Sequence, residues 1–284
     1  MTEPRIRLVV NADDFGMSGG VSRGIIQAHE RGIVTSTSLL GNCADADLAA
    51  AASLLAGAPS LGVGVHLALV GGRPVSPPET VPSLLDPHGG FPARPADLLA
   101  RWARGRIAAG ELAREIDAQI ERARGAGLVL DHLDTHHHIG FIPVVGQAIE
   151  AAARRHAIAG VRTLIEKPTL AWLTEPRRGL EAGVLAGLGW LTRRRMGTLR
   201  HGPRSWGFVE SGQLDEVRIL EIIGRLEPGV HELICHPGLD EDGGGAASPD
   251  GHQRPRELGA LTSPRIRGTL ERRGITLCRW SDLF

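Results

Sequence analysis

Four times along this chain a short apolar run breaks off at aspartate or histidine. Ile6–Val10 leads into Asn11-Ala12-Asp13-Asp14-Phe15-Gly16, and Leu61–Val65 into His66. Leu128–Leu133 ends in Asp134-Thr135-His136-His137-His138, and Leu233-Ile234-Cys235 in His236. Strands buried in a parallel sheet read as nearly unbroken apolar runs, and their carboxyl ends open onto a shared crevice. Histidines are scarce in such places unless something binds them. A chain punctuated in this way is an α/β protein whose chemistry gathers at one rim of its sheet, and the four ends together suggest one metal site.

The segments between the runs have helical spacing. Ser18 is a cap for a helix with Val21, Ile25, Ile26 and Ala28 on its apolar face, stopping at Gly32. The β-branched stretch Ile33–Leu40 reads as a second strand, and an alanine-rich helix from Asp45 to Leu55 breaks at Ala58-Pro59. One long helix is expected from Ala96 to Ala126, others over Phe141–His156, Leu214–Leu226 and Pro264–Arg273, and strands over Gly160–Ile165 and Ile275–Cys278. This alternation is the rhythm of a parallel sheet. No internal repeat or linker divides the 284 residues, a length that α/β barrels reach as a single domain.

Lys+Arg and Asp+Glu both total 32, so no global field draws the protein to nucleic acid. Cys43, Cys235 and Cys278 are far apart, without a CxxC pair, which fits a reducing compartment and no zinc ribbon. Cys235 lies within an apolar run and reads as a small buried hydrophobe. The five-residue first run is too short for a signal peptide, and no run approaches the eighteen or so apolar residues of a membrane span. A cytoplasmic enzyme is expected.

Four further stretches carry expectations. The Pro/Gly stretch from Gly71 to Pro92 is long enough to form a substrate rim. Residues 170–200 interleave Trp172, Leu180, Leu185, Trp190 and Met196 with arginines. Such a face suits an amphipathic cover helix or contact with a membrane surface or lipid-linked substrate. Ser205-Trp206-Gly207-Phe208 suggests an aromatic platform for a sugar ring, and Asp240–Pro255 a mobile loop. Side chains alternate along an extended chain, so of the three successive histidines at most His136 and His138 should share a face, with His132 a candidate for the same side and the non-ligands solvated or supporting. Asp134 is placed to hold a histidine tautomer, and Arg162 either decorates the surface or orients a catalytic carboxylate.

Taken together, Asn11–Gly16, Gly64-Val65-His66-Leu67, His132–His138 and Cys235-His236-Pro237-Gly238, with Gly72–Pro78 and Val81–Leu84, resemble in order the motifs of the YdjC family of carbohydrate deacetylases. The resemblance implies an irregular (β/α), TIM-like barrel and one divalent metal ion. Carried over by position, Asp14, His66 and His136 are the ligands, Asp13 the base and His236 the general acid, with Asp134, His138 and Arg162 around them. Many members continue the histidine cluster with a further His where this chain has Ile139-Gly140. A milder similarity to hopanoid-biosynthesis members adds a lipid-linked amino sugar to the oligosaccharide substrates implied, and a position peripheral to the inner membrane. A homodimer is compatible with the sequence, and nothing in it specifies one.

Amide hydrolysis at neutral pH needs a polarised carbonyl and an activated water, and a metal with open positions supplies both. Two imidazoles and a carboxylate suit zinc, although the family is often assigned magnesium. The expected activity is removal of the N-acetyl group from an N-acetylglucosamine-containing sugar, releasing acetate. Its rivals are a metal-dependent phosphoesterase and a non-catalytic sugar-binding protein with a vestigial site.

Overall fold

A computed structural model describes residues 5–162, 203–240 and 252–284, together with Gly183 and Gly187. Among these residues eight strands form one parallel sheet: β1 (Ile6–Phe15), β2 (Ser36–Leu40), β3 (Gly62–Leu67), β4 (His132–Thr135), β5 (Gly160–Val161), β6 (Arg204–Trp206), β7 (Gly229–Cys235) and β8 (Ile275–Leu277). Their order is β5-β4-β3-β2-β1-β7-β6. β8 pairs with the first half of β1, over Ile6–Leu8, and β2 with its second half, from Asn11 on.

The sheet is strongly curled. Arg162, just past β5, donates from Nε to Glu232 Oε1 on β7 at 2.9 Å. Those strands stand five places apart, roughly 24 Å in a flat sheet at ~4.8 Å per strand, far beyond the reach of one side chain. Curling brings the two together across the interior, which gives the irregular (β/α) barrel. Trp280, completely buried, stacks on His132 at a ring separation of 4.9 Å and closes the interior beneath β4.

Around the sheet lie α1 (Gly19–Glu30), α2 (Asp45–Ala56), α3 (Pro95–Ala103), α4 (Ala109–Gly125), α5 (Pro143–Arg155), α6 (Glu216–Arg225), α7 (Arg254–Leu261) and α8 (Pro264–Arg272). Ser18 accepts a hydrogen bond from the Val21 amide and so caps α1. Asp215 does the same for α6 through Arg218 N. One apolar cluster runs from Leu8 to Ile275 through all these layers.

Several elements differ from expectation. The single helix over 96–126 is two, α3 and α4, because Gly105 at φ +64° reverses the chain between them. Strand four begins only at His132: Val129 is 87% exposed, so its apolar run does not belong to the sheet. α7 begins at Arg254, within the stretch read as a mobile loop. The stretch 71–92 folds into two short 3-10 turns, Pro78–Thr80 and Pro82–Leu84. Carboxylates of α4 hold it, Glu115 accepting from the amides of Val75 and Ser76 and Glu111 from that of Ser83. The amphipathic stretch 170–200, Gly183 and Gly187 apart, and residues 241–251 of the expected loop lie outside the described residues, as does the end of the expected strand beyond Arg162. No helix among the described residues is long and apolar enough to cross a membrane.

Candidate active site

β1 does not stop where its apolar run stops. It continues to Phe15 through a register shift between Ala12 and Phe15, with Asp14 at φ +70°. In a regular strand two successive carboxylates would face opposite ways, but an irregularity of this kind re-aims side chains. Both acids therefore reach the same imidazole. Asp13 Oδ2 is 3.9 Å from His66 Nδ1, and Asp14 Oδ1 is 3.5 Å from His66 Nε2. A non-glycine residue in this region costs roughly 1–3 kcal/mol, strain the surrounding contacts must hold.

Asp14 Oδ1 also lies 3.2 Å from His136 Nδ1, and the donor atoms of Asp14, His66 and His136 fall within 4.8 Å of one another. Oδ1 is buried and accepts no hydrogen bond, although two ring nitrogens stand beside it. Burial works against the charge of Asp14, but His136, Arg254 and His66 hold its carboxyl well below the usual carboxylate range. His66 Nδ1 contacts Asp134 Oδ1 at 2.8 Å, so Nδ1 bears a proton and Nε2 is turned toward Asp14. A histidine fixed by a carboxylate on one nitrogen, with the other beside an orphaned carboxylate oxygen, is a donor set that fits a divalent ion. Burial lowers the His66 pKa, yet Asp134, Asp13 and Asp14 together raise it to about 9, so without an ion the ring carries the charge.

Arg162 ties this cluster together. Its guanidinium donates to both oxygens of Asp13 at 2.7 and 2.8 Å. It also pairs with Asp134 Oδ2 at 2.6 Å and Glu232 Oε1 at 2.8 Å, and its side chain is 3% exposed. It is an interior residue, not surface decoration. Asn11 Nδ2 donates to Asp13 Oδ1 at 2.8 Å, and Ser38 Oγ to Asp134 Oδ2 at 2.9 Å. Burial opposes ionisation of Asp13, but Arg162, His66 and His236 keep its pKa far below the ordinary value. Burial wins for Glu232, whose pKa is raised.

The histidine run does not alternate, because the strand has already ended. Residues His136–Phe141 form a 3-10 turn, with both His137 and His138 at φ +54°. His137 is exposed, its ring 4.1 Å from that of His136, while His138 turns inward against the edge of Phe208 at 4.9 Å. Burial and neighbouring cations push these two down, to about 4 for His137 and about 3 for His138. Trp206 is not a sugar platform: it is fully buried, donating from Nε1 to His231 Nδ1 at 3.1 Å. The half-buried aromatic of that loop is Phe208.

His236 completes the rim from β7. Its amide donates to Glu257 Oε2 at 2.6 Å, its Nδ1 is 3.5 Å from Ser211 Oγ, and its ring lies 4.3 Å from that of His252. Asp14, His236 and His252 form a second triad of potential metal donors. Arg254 Nη2 donates to Asp14 Oδ2 at 2.8 Å. His252, Arg254, Glu257, Ser38 and Glu232 were all missed in the sequence. The first two follow a glycine-rich tract and the others sit on strand or helix faces that look structural. Only the polar interruptions of apolar runs by Ser38 and Glu232 hint at their place.

Glu257 supplies a pH test of this framework. Burial raises its pKa from 4.5 to about 7, against the amides of His236, Leu214 and Gly212 that favour its charge. A carboxyl raised on folding favours the protonated form, so its stabilising contribution is complete below pH 4.5 and is lost as pH rises toward 7. The loss is roughly 3 kcal/mol at ~1.4 kcal/mol per unit. Denaturant unfolding of the wild type between pH 4.5 and 7 is expected to show this decline relative to Glu257→Gln. Parallel profiles would contradict it.

A family model described as YdjC-like protein matches residues 7–272. A carbohydrate deacetylase from Geobacillus stearothermophilus is 33% identical over 279 residues, covering 97% of each chain. A chitooligosaccharide deacetylase from Yersinia enterocolitica is 30% identical over 290 residues, covering 97% of this chain and 98% of that one. Among solved structures, a candidate cellobiose-phosphate cleavage protein from Enterococcus faecalis V583 superposes with a TM-score of 0.76 at 28% identity, over 98% of this chain and 99% of that one.

Proposed function

The chain belongs to the YdjC-like family, and from that membership we propose that it is a single-domain, metal-dependent carbohydrate deacetylase that hydrolyses the N-acetyl amide of an amino sugar and releases acetate. The relatives named as deacetylases span nearly its whole length, which supports both the reaction and the sugar class. N-acetylglucosamine oligosaccharides are the substrates we favour, and a lipid-linked N-acetylglucosamine falls within the same class. The observation that carries the metal dependence is Asp14 Oδ1, buried without a hydrogen bond between two imidazole nitrogens and next to Asp13.

We assign Asp14, His66 and His136 as the residues that hold one divalent ion, zinc by the chemistry of two nitrogens and an oxygen. Such an ion supplies the polarisation of the amide carbonyl and the acidification of water that the reaction requires. Asp134 orients His66 through the bond to Nδ1. Asp13 is kept ionised and immobile by Arg162 and Asn11, and receives the proton from the attacking water. His236 delivers a proton to the departing amine. Burial, then His252, holds its imidazole well below the usual pKa, so it rests neutral. A neutral ring gives a proton from one nitrogen while regaining one at the other, and Ser211 Oγ stands by Nδ1. His138 and Phe208 form an apolar edge for the sugar ring.

The second donor triad favours one competing reading, a two-ion phosphoesterase. A panel of N-acetylated sugars, including chitooligosaccharides and a lipid-linked glucosamine, assayed for acetate and phosphate with and without chelator, separates the two. Acetate from at least one amino sugar, abolished by chelator and restored by zinc, is expected. Phosphate release without acetate would overturn the deacetylase reading, and acetate release indifferent to chelator would overturn the metal dependence.

A further inference from the structure

Two triads share Asp14: one with His66 and His136, the other with His236 and His252. A carboxylate with one oxygen toward each triad is the usual bridge between paired metal ions, as in two-metal hydrolases. Here one of the two oxygens, Oδ2, is already paired with a cation of the chain itself. Arg254 Nη2 donates to Asp14 Oδ2 at 2.8 Å, with Arg254 4% and Asp14 2% exposed. The same nitrogen lies 3.4 Å from Met17 Sδ.

The fold is built to bring that guanidinium in. Arg254 is the first residue of α7 and stands 240 positions from Asp14. Its stem passes over Gly238, where an added Cβ would stand 3.1 Å from both Cβ and Cδ of Arg254. Gly238 N donates to Arg254 O at 3.3 Å, and Gln253 N to Gly212 O at 2.8 Å. Gly212 has φ +76°, and a Cβ there would meet the His252 ring at 2.2 Å. Two glycines thus admit His252 and Arg254 side by side. A fixed, buried positive charge hydrogen-bonded to Asp14 engages one of its two carboxylate oxygens and repels a second cation beside it.

We propose that Arg254 is a built-in substitute for a second metal ion, limiting Asp14 to one cation and leaving His236 free to act on substrate. This inference rests on the assignment of Asp14, His66 and His136 as the ion's ligands. Arg254 is a positioning residue, and its removal is expected to convert a one-ion site into a two-ion site.

The test is metal stoichiometry. Full-length protein is stripped with chelator, equilibrated with excess zinc, freed of unbound metal and analysed for zinc per chain. Wild type and Arg254→Lys, which keeps the charge, are expected to hold one zinc. Arg254→Met is expected to hold two, falling back to one when His252→Ala is added. His252→Ala in the wild-type background, where folding does not depend on losing a buried cation, is expected to leave the content at one. Two zinc ions in the wild type, one in a folded Arg254→Met protein, or a loss of zinc in His252→Ala would each overturn the inference while leaving the first triad standing. No zinc in the wild type would remove the ligand assignment itself, and the inference with it.

Discussion

Asp13→Asn is expected to lower kcat for acetate release by roughly 10²- to 10⁴-fold, the usual contribution of a positioned general base, with KM little changed. An amide cannot accept the proton of the attacking water, and the other two carboxylates beside His66 are engaged elsewhere, Asp14 with Arg254 and Asp134 with Arg162 and Ser38. The variant is expected to fold. Arg162, although buried, keeps its pairs with Asp134 Oδ2 at 2.6 Å and Glu232 Oε1 at 2.8 Å, so no cation is stranded. Losing the two-pronged bond to Asp13 lowers stability by about 1–3 kcal/mol, measurable as a fall in thermal midpoint. Full activity in a folded Asp13→Asn protein would remove the residue from the mechanism.

His66→Ala carries the second large effect, on metal affinity. It deletes one of three donors without leaving a charge unsatisfied, since Asp134 retains Arg162 and the Ser38 hydroxyl. Zinc affinity is expected to fall at least about 100-fold, more than loss of a supporting residue such as Asp134 would cause. The wild type has a matching pH signature. An entering ion must displace the proton that the surrounding carboxylates retain on His66 up to about pH 9. Affinity should therefore rise with pH toward that value and flatten above it. His66→Ala should lose that part of the slope. Zinc titrations of the stripped proteins check both, and unchanged affinity in His66→Ala would strike it from the ligands.

The fold was legible because a parallel sheet writes its strands as apolar runs and its crossovers at helical spacing. Even so, the ends of elements were misplaced wherever backbone conformation outweighed side-chain pattern. β1 looked finished at Val10, yet it continues through Asp13 and Asp14, and it is the irregularity there that turns both carboxylates inward. Nothing in the letters Asp-Asp distinguishes that geometry from a surface turn. The same holds at His137 and His138, whose left-handed backbone defeats an argument from alternation. Residues that follow an apolar run, such as His66 and His236, could be singled out. Arg254 and His252 could not, because they reach the cleft from a distant segment, through gaps that Gly238 and Gly212 leave open.

Acetate release titrated against bound zinc, in chelator-stripped wild-type protein with an N-acetylated chitooligosaccharide, bears most directly on the proposal that Asp14, His66 and His136 hold a catalytic ion beside Asp13. Activity is expected to be absent without metal, to climb in proportion to zinc bound, and to level off at one ion per chain. Undiminished acetate release from metal-free protein, or a site that fills with zinc while no acetate appears from any amino sugar, would contradict it.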